Sequence, residues 1–157
     1  MLNDDYKEML SCFSDEKVEY LLVGAHALAV HGHPRATKDI DFFVRANADN
    51  AVRLIHALQR FGAPTQGLSP ADFSTRGAVF QIGAGPRRID ILTSIDGVDF
   101  EDAYPRKVVA RLEGIDVAVI SRADLIANKR ATGRTQDLAD VERLTGKTRS
   151  RDDDLTR

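Results

Sequence analysis

The chain has 157 residues, 43% hydrophobic and 29% charged, an ordinary globular balance with enough length for one domain with a real core. A net charge of -2 excludes a global attraction to nucleic acid, so any RNA contact must come from a local basic patch. The single cysteine, Cys12, excludes an internal disulfide and a thiolate zinc site; it is expected to be a small buried residue and fits a cytoplasmic location. No basic-then-apolar signal pattern opens the chain, and the longest apolar run, 20–30, is shorter than a membrane span and interrupted by His26, so no membrane partner is expected.

Tyr6, Met9, Leu10 and Phe13 recur at helical spacing and predict an amphipathic helix over 4–14. Val18–Val23 is rich in large apolar and β-branched residues and reads as a strand, Gly24 supplies a turn, and the alanine-rich 25–30 reads as a short helix ended by Gly32 and Pro34. In the next predicted strand, 38–45, alternation puts Asp39, Asp41 and Phe43 on one side and Ile40, Phe42 and Val44 on the other. The two carboxylates lie roughly 6.6 Å apart along that strand, close enough to share a divalent metal. An Asp-x-Asp pair is more often two solvated surface acids. What distinguishes this one is Gly24, which ends a strand whose following helix turns free backbone N–H groups towards the strand's mouth, where a phosphate can sit.

Ala51, Val52, Leu54, Ile55, Leu58 and Phe61 predict a second amphipathic helix, begun near 47–50 and closed by Gly62 and Pro64, with His56 as a partly exposed helix residue. Residues 63–76 mix Gly, Pro, Ser and Thr and read as a loop. Two short strands, 78–82 and 88–92, are joined by 83–86, and the second holds Asp90 between Ile89 and Ile91. An acid between two β-branched residues in a strand is costly unless it faces solvent, a partner or a metal. A strand pair follows at 107–111 and 115–120 around Glu113-Gly114; then Ser121 and Asp124 cap a helix carrying Leu125, Ile126 and Lys129. Gly133 ends it and Thr135 starts a last helix with Leu138, Val141 and Leu144 on its expected buried stripe. Residues 147–157 are charged and apolar-poor and predict a disordered tail behind a single domain over 1–146.

The stretch Val23-Gly24-Ala25, thirteen residues, then Asp39-Ile40-Asp41-Phe42 resembles the signature of the nucleotidyltransferase superfamily related to DNA polymerase beta. That signature is a hydrophobic residue, Gly, then Gly or Ser, a gap, and Asp-hydrophobic-Asp/Glu-hydrophobic. Ala25 departs from it by removing a hydroxyl that helps hold the terminal phosphate. With Pro34-Arg35-Ala36-Thr37 ahead of the acids, the stretch is most similar to small bacterial nucleotidyltransferases of abortive-infection, type IV toxin-antitoxin systems. Asp90 matches the family's third catalytic acid. Lys129 and Asp137, with Arg134, match a helical region that lines the family's nucleotide pocket, while Arg35, Thr37 and Lys38 stand beside the acids within reach of phosphate.

The resemblance implies an α/β fold, a short mixed sheet flanked by helices with a helical C-terminus, the palm-like core of a nucleotidyltransferase. It implies that Asp39, Asp41 and Asp90 hold two Mg²⁺ ions and that Gly24, Ala25, Arg35, Thr37, Lys38, Lys129, Arg134 and Asp137 bind the NTP. An NMP would pass to a hydroxyl acceptor on RNA, a protein or a small molecule; Arg87, Arg88, Arg130 and Arg134 offer a local strip for RNA phosphates. The rival expectation is a non-catalytic nucleotide-binding or interaction module, antitoxin-like, which Ala25 motivates.

Overall fold

A computed structural model of the chain describes residues 2–83 and 87–146. Six strands form one mixed sheet in the order β3-β4-β2-β1-β6-β5. These are β1 (Tyr20–Val23), β2 (Asp39–Val44), β3 (Val79–Ile82), β4 (Arg88–Leu92), β5 (Val108–Leu112) and β6 (Ile115–Val119). The central pair β1–β2 is antiparallel, β2–β4 and β1–β6 are parallel, and the two edges are the antiparallel hairpin partners β3–β4 and β5–β6. The helices are α1 (Asp4–Asp15), α2 (Gly24–Val30), α3 (Ala48–Phe61), α4 (Phe100–Ala103), α5 (Arg122–Thr132) and α6 (Thr135–Thr145). This is the mixed sheet with flanking helices and helical C-terminus that the sequence predicts. Among the described residues no helix is long and apolar enough to cross a membrane.

The core follows from the alternation in β2. Ile40, Phe42 and Val44 are fully buried, and Phe42 meets the rings of Phe13 from α1 and Tyr20 from β1 at 4.9 and 5.6 Å. On the opposite face Phe43 packs edge-on against Phe100 of α4 at 5.1 Å, while Asp39 and Asp41, nearer the strand's start, are only half-buried. One strand therefore anchors apolar layers on both sides at its C-terminal end and opens a polar cleft at its N-terminal end. The α1 helix is capped by Asn3, whose Oδ1 accepts from the Tyr6 backbone N–H, and α3 by Asn47, which accepts from Asn50 N–H; α3 ends, as the sequence predicts, at Gly62 in the left-handed region. Asn50 is buried and ties α3 to the chain below: its side chain donates to the carbonyls of Glu19 and Arg45 and accepts from Glu19 N–H.

Two expectations are corrected, and one segment left unassigned gains structure. The 63–76 segment is not structureless, since Pro70–Phe73 form a 3₁₀ turn that buries Phe73 against Phe80. The 100–106 segment, to which the sequence reading assigns nothing, forms α4 and a following 3₁₀ turn at Tyr104–Arg106; four residues are too few to show helical periodicity. Leu138 is 45% exposed, and the buried face of α6 is instead Asp137, Asp140, Val141 and Leu144, spaced i, i+3, i+4, i+7. Two aspartates can face inward there because Lys129 of α5 lies against them, which rotates Leu138 out to solvent. Cys12 and His56 are as expected, buried and exposed respectively, whereas the predicted tail at 147–157 and the 84–86 part of the β3–β4 connection lie outside the described residues.

Candidate active site

The acids are brought together by strand register. In the parallel β2–β4 pair Asp41 is the direct partner of Asp90, and Asp39 of Arg88, so all four side chains rise from one face of the sheet. On the other side of β2, Val23 pairs with Asp41, which delivers Gly24, the first residue of α2, beside the Asp41 carboxylate. The contact is so close that a Cβ on Gly24 would lie 2.3 Å from Asp41 Oδ2, and Gly24 has φ +70°. Only glycine meets both demands. Val23, the N-cap of α2, offers no side-chain cap, so the first N–H groups of that helix are left to whatever occupies the cleft.

Three carboxylates cannot be packed this closely without a cost. Burial, and then the neighbouring Asp90 and Asp39, push the Asp41 pKa up to about 7, against the opposing pull of Arg88. Arg88 is the counter-charge: its Nε donates to Asp90 Oδ1 at 2.8 Å, and its Nη2 donates to Asp39 Oδ2 at 2.9 Å and to Asp90 Oδ2 at 3.1 Å. The guanidinium is a cation held between Asp39 and Asp90, and it is therefore not free to serve the RNA-facing strip in which the sequence places it. Among the described residues no three His, Cys, Asp or Glu side chains stand together as a group that could hold a metal ion as they are. The donor set is nevertheless all carboxylate oxygen, the hard-ligand chemistry of Mg²⁺, and the bound guanidinium shows that the site accepts a cation.

The opposite wall comes from α5 and α6. The cleft, about 500 Å³, is bordered by Gly24, Ala25, Arg35, Thr37, Asp39, Asp41, Asp90, Lys129, Arg134 and Asp137 among the residues that the sequence singled out. Lys38 is exposed and outside this lining; its carbonyl accepts instead from Tyr6 Oη and from Arg88 N–H. Lys129 is only 3% exposed, and its ammonium donates to Asp137 Oδ1 at 3.2 Å and Asp140 Oδ2 at 2.9 Å. Burial pushes the Asp137 carboxyl up, but hydrogen bonds from Thr132 and Arg134 and the Lys129 charge outweigh it and hold the group below the usual carboxylate range. Asp140 takes further support from Gln136, which donates to it, and from the Arg35 guanidinium at 3.4 Å. Lys129 is thus a structural cation tying two helices together, and Arg35 ties those helices to the segment ahead of β2.

Arg88, Ser94, Ile95, Asp96, Asn128 and Thr132 also border the cleft, and the sequence reading gave none of them a place in it. Arg88 was detectable in principle, because it precedes Asp90 by two in a strand and must share its face. Asp96 comes from a loop whose placement depends on Gly97 pressed against Ala131 and on Asn128 Nδ2 donating to the Asp96 carbonyl, contacts distant in sequence that leave no local signal.

Among solved structures, this chain is similar to a candidate nucleotidyltransferase, TM1012, from Thermotoga maritima, with 16% identity, a TM-score of 0.58, and 94% of this chain and 96% of that one covered. It is also similar to the antibiotic-resistance factor ANT(2'')-Ia, solved in complex with adenylyl-2''-tobramycin, with 12% identity, a TM-score of 0.56, and coverage of 91% and 86%. The solution structure of ANT(2'')-Ia gives 16% identity, a TM-score of 0.53, and coverage of 97% and 93%. At these identities the likeness is one of fold. No curated protein matches the sequence. A family model described as "nucleotidyltransferase of unknown function (DUF6036)" matches residues 2–145, and the chain belongs to that family.

Proposed function

We propose that the chain is a metal-dependent nucleotidyltransferase that moves an NMP from an NTP to a hydroxyl acceptor. The observation that supports this reading above the others is the register that sets Asp41 opposite Asp90, with Asp39 two residues along the same face and Gly24 against Asp41. In the reaction an acceptor oxygen attacks the α-phosphorus, a new P–O bond forms, the bond to the bridging oxygen breaks, and pyrophosphate leaves. Mg²⁺ held by Asp39, Asp41 and Asp90 would supply charge neutralisation at the α-phosphate. Asp41, whose pKa burial and the neighbouring carboxylates push up to about 7, is placed to take the proton from the attacking hydroxyl. The uncapped N–H groups of Gly24 and Ala25, with Arg35, Thr37 and Arg134, would orient the triphosphate.

A toxin-like role in an abortive-infection system, with an RNA or protein acceptor, is the finer form of the same proposal; it rests on the sequence similarity of 20–44 and 125–140. The second reading, a nucleotide-binding or interaction module without turnover, is favoured by one observation: Arg88 already occupies the space between Asp39 and Asp90. Titrating the four NTPs calorimetrically with Mg²⁺, followed by incubation with α-labelled NTP and total cellular RNA, separates the two. Magnesium-dependent NTP binding and label transfer that require Asp39 and Asp41 support the enzyme; no binding at millimolar NTP supports the inert module.

A further inference from the structure

The sheet ends at β5, which among the described residues pairs only with β6, in an antiparallel register that sets Leu112 opposite Ile115 and Val108 opposite Val119. The turn between the two strands is Glu113-Gly114, with φ +51° and +85°. A two-residue hairpin of this kind closes on a hydrogen-bonded pair, so Leu112, Ala110 and Val108 turn their backbone N–H and C=O groups to β6, while Val109 and Arg111 turn theirs to the open edge. Ala118, which stands opposite Val109, agrees with that phase: its N–H donates to Tyr20 Oη of β1, away from β5.

Sheet edges are ordinarily blunted by Lys, Pro, a bulge or a covering loop, whereas β5 presents Val108 and Val109, 42% and 60% exposed. Its sequence, Lys107-Val108-Val109-Ala110-Arg111-Leu112-Glu113, suits one occupant in particular, a second copy of the same strand. With a two-fold axis through Ala110, Lys107 falls opposite Glu113, Val108 opposite Leu112 and Val109 opposite Arg111. Ala110 then meets itself at a non-hydrogen-bonded site, where Cα atoms approach to about 4.5 Å and a small side chain is favoured. An axis through Val109 would set Lys107 against Arg111, and one through Arg111 would set that residue against itself, both pairings of like charge. Charge therefore selects a single register.

We propose that β5 is a homotypic interface, pairing antiparallel with β5 of a second copy about Ala110 and joining the two sheets into one. In each copy the Val109 and Arg111 N–H groups donate to the Arg111 and Val109 carbonyls of the other. Val108 of the second copy stands over Leu112, which walls a groove of about 330 Å³ together with Leu2, Ala29 and Val30. On the opposite face the stem of Arg111, whose guanidinium is held by Asp116 at 2.8 Å, covers the exposed Val109 of the second copy. Lys107 already lies over the Tyr104 ring at 4.1 Å, and Glu113 accepts from Leu2 N–H at 2.8 Å with Lys7 at 3.8 Å, so both ends of the contact are held in place before association. A single strand pair is smaller than a standard interface, and the association is accordingly weak and concentration-dependent. In the sheet β1 and β6 separate β5 from β2, and no residue of β5 lines the acid cleft, so the interface stands apart from the chemistry proposed there.

The test is sedimentation velocity of the full chain from roughly 10 µM to 1 mM, with backbone amide exchange at both ends of that range. A shift from monomer to dimer should come with slower exchange of the Val109 and Arg111 amides at high concentration, because pairing at this edge is what protects those N–H groups. Val109→Pro removes an outward N–H and leaves the β5–β6 ladder its bonds, so it should abolish the dimer. Lys107→Glu and Glu113→Lys serve where proline unfolds the hairpin, with the melting temperature of each showing that it is folded. Each alone sets like charges opposite one another and should weaken the dimer about tenfold; mixing the two should restore it, since every 107–113 contact in the mixed pair is acid against base. A monomer at all concentrations overturns the proposal, and slow exchange of Val109 and Arg111 in that monomer would place another segment of the chain on the edge. A dimer that Val109→Pro leaves intact, that the charge variants leave unmoved or that their mixture fails to restore overturns it, as does assembly beyond the dimer, which would need β5 to meet the other edge, β3, of the next copy.

Discussion

Asp41 and Asp90 are direct partners across the parallel β2–β4 pair, two carboxylates that the backbone register forces onto one face with only Arg88 to offset them. The sign of the resulting pH dependence follows from the shift. The Asp41 pKa lies near 7 in the folded chain and 3.8 is its reference value, so between these the folded state binds more protons than the unfolded state, and stability falls as pH rises from about 4 to about 7. Asp41→Asn removes that slope and should be the more stable protein at pH 8, by on the order of 2 kcal/mol after discounting for the part of the group that remains solvated. Urea unfolding at a series of pH values reads this directly. An equal slope in the variant and the parent would mean that another group carries it.

Arg88 would compete with the proposed Mg²⁺ for the carboxylates of Asp39 and Asp90, which its guanidinium now holds. Replacing Arg88 by Gln removes the resident cation, so without metal the protein should lose stability as Asp39, Asp41 and Asp90 repel one another, and with Mg²⁺ it should recover more than the parent does. The Mg²⁺ concentration giving half of the rise in melting temperature should drop by about tenfold. A midpoint that is unchanged, or higher, in Arg88→Gln would show the guanidinium to be a helper of the site and not a stand-in for the ion.

Gly24 offers a sharper probe because two independent demands meet there, the left-handed φ of +70° and the 2.3 Å approach to Asp41 Oδ2. Gly24→Ala should cost on the order of 2–4 kcal/mol, since strain and overpacking add and the Asp41 carboxylate that the new Cβ would meet is short and half-buried, with little room to move. Asp41→Asn should not relieve that cost, because the amide fills the same volume. Chemical denaturation of the single and double variants measures the coupling. Relief of more than half the cost in the double variant would place the problem in charge and not in space.

How much of this could be read without coordinates depends on the range of the interaction concerned. The strand–turn–helix at 20–30, the acid strand and Asp90 carry their own alternation and turn residues, so their placement was legible, as was Ser121 accepting from Asp124 N–H at the start of α5. The occupant of the site was not, although Arg88 shares the period of Asp90, because a charged residue at a strand's start has an ordinary reading as a solvated side chain. The burial of Asp137 and Asp140 defeated the apolar-stripe rule for α6 for a different reason: hydropathy counts residues singly, and these two acids are affordable inside only as a set with Lys129. Gly97 against Ala131, and Phe100 against Phe43, join segments far apart in sequence, and nothing local to either segment announces them.

Lys129 tests whether the wall of the cleft is a phosphate ligand or a structural strut. It is 3% exposed, and its ammonium is shared between Asp137 and Asp140, the latter fully buried. Removing one partner from a buried charge cluster leaves the others uncompensated, so Lys129→Met should cost on the order of 3–5 kcal/mol, far more than deleting a phosphate contact at a solvated cleft would. The triple variant Lys129→Met, Asp137→Asn, Asp140→Asn removes charge together and should regain a large part of that loss. A strut also predicts that the damage spreads: backbone amides of both α5 and α6 should exchange faster with solvent in Lys129→Met, because the two helices are pinned through this group, whereas β2 and β4 should keep their protection. Weaker NTP binding with unaltered stability and unaltered amide exchange would reverse the assignment and return Lys129 to the triphosphate.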